Sequence, residues 1–464
     1  MLKKILITAL LTCAYLLGGF APAAEAALLR VALVTGQTTA EISCDDEFEV
    51  QSGWQKTVMP KGKYFLFIKD NRLFMEAVTE RKISAAKIEP HVSTDPIKQK
   101  TADTDNLSKR YDWGSSIYLA GLGDKKAPGV NQRQYNGHLR AMVADGKLLV
   151  VNYVDMEQYL CSVLPNKTMV VWPDEAIKAQ AVATRSYAMY MQRVNVNKQY
   201  DLPANDTELV YEGTGLRIEK AAINKLVQAT KGQFVADAAG LPIQAVSTSS
   251  TGGRTESALA AWGKNIAYLQ SVKDFDSDSP DFTWEYRATP SLLEGQLAQR
   301  GYTVGRLTSV RLSPLEDMGA DRTDTGRVKY LILTGTGGAA KISGEELAEI
   351  LSLKSTLFDV ETGVPTPEVL KVPIEDRFGF EVGSKDINIK VNDEDKDKPA
   401  VSSILRSYHM LNGGKDEKII FHGKGKGSGL GLSAWGARGM VNATEKITYK
   451  DILAHYYPGT YVRK

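Results

Sequence analysis

Cysteine is scarce in this chain, with three in 464 residues. Cys13 falls in the apolar N-terminal stretch, which leaves Cys44 and Cys161, enough for at most one disulfide and too few for a disulfide framework. The five histidines (His91, His138, His409, His422, His455) are scattered and never fall at metal-ligand spacing with each other or with the thiols. No metal and no cofactor are therefore expected. An excess of one charge is also lacking: 57 Lys and Arg against 55 Asp and Glu. Without a strong field of one sign, nucleic acid is not an expected partner. Beyond the N-terminus, no apolar run is long enough to cross a bilayer.

The N-terminus reads as a secretory signal over residues 1–26. Lys3 and Lys4 supply the charge, Ile5 to Phe20 the apolar region, and Ala24-Glu25-Ala26 a small-x-small cleavage site. The expectation is export through the secretory pathway to the periplasm, cell wall or exterior. The remaining length suits two or three domains. Residues 27–115 read as a β-rich part, with β-prone runs at Leu29–Val34 and Tyr64–Ile68. Residues 116–360 mix strands and helices and read as a core. Asp145-Gly146 marks a hairpin turn, and helices are expected near Glu219–Thr230 and Glu345–Leu351. Residues 361–418 carry Pro365, Pro367, Pro373 and the charged run Asn392–Lys398, and read as a polar insertion. Residues 419–464 are glycine-rich at their start. The fold class is α+β, with mixed sheets around an alanine-rich helix.

That helix lies in the stretch Tyr159–Tyr190. Pro173 suits a first helical position, and Asp174 and Glu175 meet the positive end of the helix dipole. With no Gly, Pro or Asn as far as Met191, a helix over about Pro173–Met191 follows. Ala176, Ala179, Ala181, Ala183 and Ala188 keep its faces thin enough for close packing. Lys178 and Arg185 share one stripe. They are candidate ligand contacts, or cations snorkelling from a buried structural helix.

Two further motifs stand apart from this one. Ser247-Thr248-Ser249-Ser250-Thr251-Gly252-Gly253-Arg254-Thr255-Glu256 is followed by Trp262-Gly263 and Tyr268-Leu269. Gly423 to Ala437 reads GKGKGSGLGLSAWGA and is followed by Ile452 to Thr460, ILAHYYPGT. Together, in this order, the three motifs resemble the SpoIID/LytB family, over about Leu28 to Tyr461. The resemblance implies an exported α+β protein with a SpoIID-like cleft, acting at peptidoglycan. Some members are lytic transglycosylases needed for engulfment in sporulation, and others enhance a cell-wall amidase. In the active enzymes a Glu in a P-x-E-M-P setting serves as acid and then base on the glycosidic bond.

Aligned on Pro165 and Trp172-Pro173, this chain has Lys167 where that Glu belongs. An ordinary Lys has a pKa of about 10.4 and is a poor general acid-base at neutral pH, and its charge opposes a developing oxocarbenium ion. Of the nearby carboxylates, Asp174 and Glu175 belong to the helix start, so Glu157, in what reads as a strand-end segment, is the weak substitute. The glycine motif departs as well: Lys426 replaces a family Trp, Ser428 a His and Ala434 a Gln. Some sporulation members carry a Cys/His metal cluster after the helix; Asn205–Tyr211 here has neither residue, and no zinc is expected.

The resemblance therefore points to a pseudoenzyme that binds peptidoglycan glycan strands or modulates an amidase or another envelope protein. Its candidate contacts are Lys178, Arg185, Ser250, Thr251, Gly252, Gly253, Thr255 and Trp262; the Ser250–Thr255 stretch also reads as a plain turn after a strand, and Trp262 as a packed aromatic. The alternative is an active lytic transglycosylase with a relocated acid.

Overall fold

The computed structural model describes residues 28–78, 110–123, 125–168, 171–205, 209–214, 220–363, 369–375, 381–388, 406–414, 417–444 and 446–464. The expected signal, residues 1–26, and the charged run 392–398 lie outside the described residues. The chain forms two compact units, one from Met1–Val170 with Tyr187–Lys231, the other from Val171–Ser186 with Gly232–Lys464. Strands and helices are mixed in both units, so the fold is α+β as expected.

The first unit is built on a seven-stranded sheet. Its order is Leu202–Pro203, Leu29–Gln37, Lys147–Val154, His138–Ala144, Ser116–Gly121, Phe48–Ser52, Gln55–Met59. From Leu148 to Val154 every residue is buried, the pattern of a strand covered on both faces. Asn152 sits in that run without cost because all its polar atoms are used. Its Nδ2 donates to Asn136 O (2.8 Å) and His138 O (3.1 Å), and its Oδ1 accepts from Tyr211 Oη (2.7 Å). The hairpin joining the two central strands turns at Asp145-Gly146, both at positive φ (49° and 71°), as a type I′ turn requires. The boundary expected at residue 115 falls inside this sheet, which pairs Ser116–Gly121 with Phe48–Ser52. A second, five-stranded sheet completes the unit's β structure. No disulfide joins Cys44 and Cys161.

The sequence reading placed residues 155–159 at a strand end; they instead start a helix, Met156–Lys167. Asp155 is its N-cap and accepts from Glu157 N (2.9 Å) and Gln158 N (3.2 Å), satisfying two of the donors a helix start leaves open. Pro165 and Asn166 hid this helix from a pattern reading, because both argue for a break. Pro165 is tolerated in the last turn.

In the second unit, Thr283–Ala288, Ile419–Lys424 and Phe358–Thr362 form one sheet, with Ile419–Lys424 central. Gly338–Ser343, Tyr330–Gly335, Leu307–Arg311 and Tyr408–Met410 form another. Residues expected to lie in a separate insertion thus supply Tyr408–Met410, paired with Leu307–Arg311, and the end of the Phe358–Thr362 strand. Leu293, Leu297, Val310, Leu331, Leu333, Ile342 and Leu347, all at most 1% exposed, fill the core beneath.

The alanine-rich helix runs Asp174–Val194, three residues past its expected end. Its Asp174–Ser186 part belongs to the second unit. Ala176, Ala179, Val182 and Ala183 are fully buried there against Val235, Ile243, Ala245, Leu432, Ala437, Ile452, Tyr456 and Tyr457. One core therefore holds this part of the first motif and both later ones. Methyl groups on the helix let the large partners approach closely, and each fully buried Leu or Ile adds about 1.5–3 kcal/mol.

Candidate functional site

The second and third motifs form a single knot in the second unit. Ser247–Thr248 runs parallel to Leu432–Ser433. Ser250 and Lys426 exchange both backbone hydrogen bonds (3.1 and 2.8 Å), Glu256 N donates to Gly429 O (2.8 Å) and Trp435 N to Ser249 O (3.1 Å). Thr248 Oγ1 adds a bond to Lys426 O (3.0 Å). Two glycines are demanded by what lies under the turn. A Cβ on Gly429 (φ +78°) would sit 2.1 Å from Arg327 Nη2, and one on Gly436 would sit 1.7 Å from Asp274 Oδ1. After the turn, Ser433 caps the helix Ala434–Ala443 by accepting from Gly436 N (3.0 Å).

Beneath the knot lie buried charged groups, most of them outside the motifs. Asp276, 1% exposed, accepts at one oxygen, Oδ2, from Ser250 Oγ (2.6 Å), Thr251 N (2.7 Å) and Gly252 N (2.9 Å). Asp274 accepts from Thr251 Oγ1 (2.6 Å), Tyr456 Oη (2.5 Å) and Phe275 N (2.8 Å). Burial, and secondarily the neighbouring Asp276, push the Asp274 carboxyl above its ordinary value. Tyr456 is pushed up in turn, by burial first and then by Asp274. Glu256 accepts from Ser257 N (2.8 Å) and from the hydroxyls of Thr323 (2.6 Å) and Thr325 (2.5 Å). The cation is Arg327, 3% exposed, whose Nη2 donates to Thr251 O (3.1 Å) and Nη1 to Gly427 O (3.4 Å). Burial pulls its pKa down to about 10, against the opposing pull of Glu256 and Asp276.

Several of the expected sugar contacts are buried in this placement. Ser250, Thr251 and Thr255 are at most 1% exposed. The first two bond the aspartates, and Thr255 Oγ1 donates to Gln270 O (3.1 Å) and accepts from Val272 N (2.7 Å). Their hydroxyls are taken up by hydrogen bonds that hold the loop to its neighbours. Gly252 and Gly253 supply positive φ (84° and 110°) for the same turn. Arg185, 1% exposed, is a structural cation that donates to Gln233 O (2.8 Å). Lys178 is half-buried and bonds Glu175 (2.7 Å), whose other oxygen accepts from Tyr449 N (2.7 Å). Trp262 is different: it ends the short helix Ala258–Trp262 and is 38% exposed. Trp435 packs edge-on against Trp172, with ring centroids 5.2 Å apart.

The altered family positions divide by exposure. Lys426 and Ser428 are exposed, with Lys426 Nζ 3.7 Å from Asp281 and Ser428 Oγ accepting from Leu430 N (3.3 Å). Ala434 is 1% exposed. In the first unit, Glu157 is 6% exposed in the first turn of its helix. Lys167 is the last residue of that helix, and its side chain lies outside the described residues. Among the described residues, no group of three or more His, Cys, Asp or Glu is placed to hold a metal.

Asp274, Asp276 and Arg327 were missed by the sequence reading. The short spacing Asp274-Phe275-Asp276 among turn residues was the only local sign, and it reads equally as a solvated loop. Arg327 carries no local sign at all.

Comparison with known proteins agrees with the motifs. A family profile described as Stage II sporulation protein (SpoIID) matches residues 144–236. An uncharacterized protein of Brachyspira hyodysenteriae is 27% identical over 348 residues, 74% of this chain and 76% of that protein. The amidase enhancer of Bacillus subtilis is 27% identical over 308 residues, 65% of this chain, but the match spans only 40% of the enhancer's length. Stage II sporulation protein D of Bacillus subtilis is 25% identical over 327 residues, 67% of this chain and 75% of its own. With the profile on the first motif, and the second and third motifs joined in one buried knot, this chain matches the SpoIID family over residues 144–236 and is similar to SpoIID and amidase-enhancer proteins over about two thirds of its length.

Proposed function

We propose that this chain is an exported protein of the bacterial envelope that acts at peptidoglycan without cleaving it, by binding glycan strands or by modulating an amidase. One observation carries this reading. In the glycine turn, the glycine and serine positions that the family keeps are mostly buried here, while two of its three altered positions, Lys426 and Ser428, are exposed. The frame is kept and the groups it would present to a ligand have changed. Lys167, in the acid's place, points the same way, since a protonated amine neither donates usefully to a glycosidic oxygen nor stabilises a cationic transition state. The substitute acid of the alternative reading, Glu157, is buried in the first turn of a helix, a position that favours an acid for structural reasons alone. Trp262 is the candidate contact left exposed, and its ring face suits the apolar face of a sugar.

Purified sacculi test this reading. The full chain is expected to sediment with them and to release no anhydro-muropeptides. Release of such products, abolished by Glu157→Gln, would establish the enzyme reading instead. Trp262→Ala is expected to weaken sedimentation. The double variant Lys167→Glu, Ser428→His is expected to gain glycan cleavage if the frame is intact. A rate change in a cognate amidase, with no activity of the chain alone, would select modulation over plain binding.

A further inference from the structure

The five-stranded sheet of the first unit runs in the order Arg110–Asp112, Arg72–Ala77, Gly62–Lys69, Thr39–Cys44, Gly129–Val130. Successive side chains along a strand point to opposite faces. On Gly62–Lys69, Tyr64 and Leu66 are buried, Lys63 and Phe65 are exposed, and Phe67 is half-buried. The inner face continues through Ala40, Ile42, Leu73 and Met75, all buried. The outer face carries three phenylalanines in one patch. Phe65 is 49% exposed. Phe67 pairs with Phe74 across the strands, and their rings stack with centroids 5.7 Å apart and planes 19° apart. Phe65 and Phe67, two residues apart on one strand, add a second step of about 6.5–7 Å.

The charges on this face are arranged in pairs around the rings. Lys63 lies 3.9 Å from Glu41, Arg72 2.9 Å from Asp112 and Arg110 3.0 Å from Glu76. Each pair joins two neighbouring strands. The Arg110 guanidinium also lies over the Phe67 ring, 5.4 Å from its centre. Lys69, at the end of its strand, adds one cation, with Asp70 in the turn that follows. A face whose charges cancel pair by pair exerts little pull on a polyanion or an anionic bilayer, both of which call for an excess of cations. It also makes a poor core for a protein interface, where desolvating ion pairs is costly and charged residues are depleted. What it complements is an uncharged ligand with apolar faces for the rings and hydroxyls for the carboxylates and guanidinium groups beside them. A pyranose has both: its C–H bonds, polarised by the ring oxygens, meet the negative face of an aromatic ring, and its hydroxyls project from the rim toward the charged groups.

We infer that this sheet face is a platform for the uncharged sugar backbone of a polysaccharide strand. Phe65, Phe67 and Phe74 stack against sugar rings, and Glu41, Glu76 and Arg110 bond hydroxyls at the edges. The platform deepens the wall-binding proposal and rests on it for the kind of polysaccharide met in the envelope. It gives the first unit a glycan contact of its own, separate in sequence from Trp262 of the second unit and from all three motifs.

Titration of the full chain with chitotetraose, a soluble uncharged oligosaccharide, followed by saturation-transfer NMR, tests the platform. The oligosaccharide is expected to bind. Phe65→Ala is expected to weaken it about two- to tenfold, the loss of one aromatic contact, and Phe65→Trp to restore it. Half of Phe65 is already in solvent, so both variants are expected to keep the wild-type denaturation midpoint, which separates a lost contact from a lost fold. Affinity is expected to be the same at low and high salt, because the ligand carries no charge. Absence of binding, equal binding by Phe65→Ala, or a steep salt dependence would overturn the assignment. Two other occupants would overturn it as well. Dimerisation of the chain that Phe65→Ala abolishes would give the face to a second copy, and binding to phosphatidylglycerol vesicles in place of the sugar would give it to a bilayer. The platform and the wall-binding proposal fail separately. A chain that binds chitotetraose through Phe65 but does not sediment with sacculi keeps the platform and loses wall binding. Sedimentation that Phe65→Ala leaves unchanged, with no oligosaccharide bound, does the reverse.

Discussion

Glu157 in the first unit and Asp276 in the second are both buried acids, and burial alone would rank them alike. Their surroundings separate them. Glu157 sits in the first turn of a capped helix, where oriented backbone N–H groups favour its charge. Asp276 sits in a loop, takes three donors at one oxygen and leaves the other unpartnered. An acid's role is thus read from an accounting of its donors, and the second acid has one oxygen that no donor reaches.

The sharpest way to break this contrast is to remove the cation beneath the second site. Arg327→Ala takes away the positive charge facing Glu256 and Asp276 and frees the carbonyl of Thr251. Truncating one side of a buried charge network costs about 3–5 kcal/mol. The urea midpoint of the second unit's transition is expected to fall accordingly. A change under 1 kcal/mol would mean the network is not buried in solution as it is here.

Substitutions at Asp276 itself come next. Asp276→Ala strands Ser250 Oγ, Thr251 N and Gly252 N together, at about 2–4 kcal/mol. Asp276→Asn retains an acceptor for all three and is expected to cost less than about 1 kcal/mol. The gap between the two variants, read from denaturation midpoints, measures how much of the knot hangs on that one oxygen. Equal losses would show that charge, not acceptor count, is what matters there.

Asp274 sharpens the contrast through pH. Its carboxyl is raised above its ordinary 3.8 by burial and by Asp276. The folded chain therefore binds more protons here than the unfolded chain does. The sign follows: this group's contribution is full below about 3.8, and is lost as pH rises through the raised folded value. Asp274→Asn removes that loss, so the wild-type stability curve is expected to fall more steeply than the variant's as pH rises above 4. Parallel curves would place the titration elsewhere. His409, whose pKa burial lowers, lies in the other sheet of the unit and its effect is common to both proteins.

Much of the architecture was legible because local patterns carried it. The turn at Asp145-Gly146 announced itself by its residue types, and the alanine-rich helix by its start signals and thin faces. The Met156–Lys167 helix was not legible, since Pro165 and Asn166 near its end outweigh its Asp155 cap in any pattern reading. At the site, the motifs marked the loops that form the knot but not the partners of their hydroxyls. Ser250, Thr251 and Thr255 look like ligand contacts in a glycine-rich stretch. Their partners, Asp274, Asp276 and the carbonyl and amide groups of 270–272, lie 15 to 26 residues away in sequence. Arg327 reaches Thr251 across 76 residues. Contacts that span such distances leave no periodicity to read.

The smallest expected effect belongs to Glu157, and it tests the first half of the contrast. Glu157→Gln keeps the side chain's shape and its place beside the Asp155 cap and removes only the charge. The helix start's share of the loss is that of one charge at a helix N-terminus, about 0.3–2 kcal/mol, with the upper end for a buried position such as this one. Asp155→Ala is the reference, since it removes an N-cap worth about 0.5–2 kcal/mol from the same helix. Both variants are expected to destabilise this helix, and the proposed wall binding is expected to be unchanged in both. A Glu157→Gln loss well above the cap's, insensitive to salt, would mean that contacts beyond the helix end carry most of the acid's stabilisation. Glu157 would then need the same donor accounting as Asp276, and the relocated-acid reading would regain its candidate.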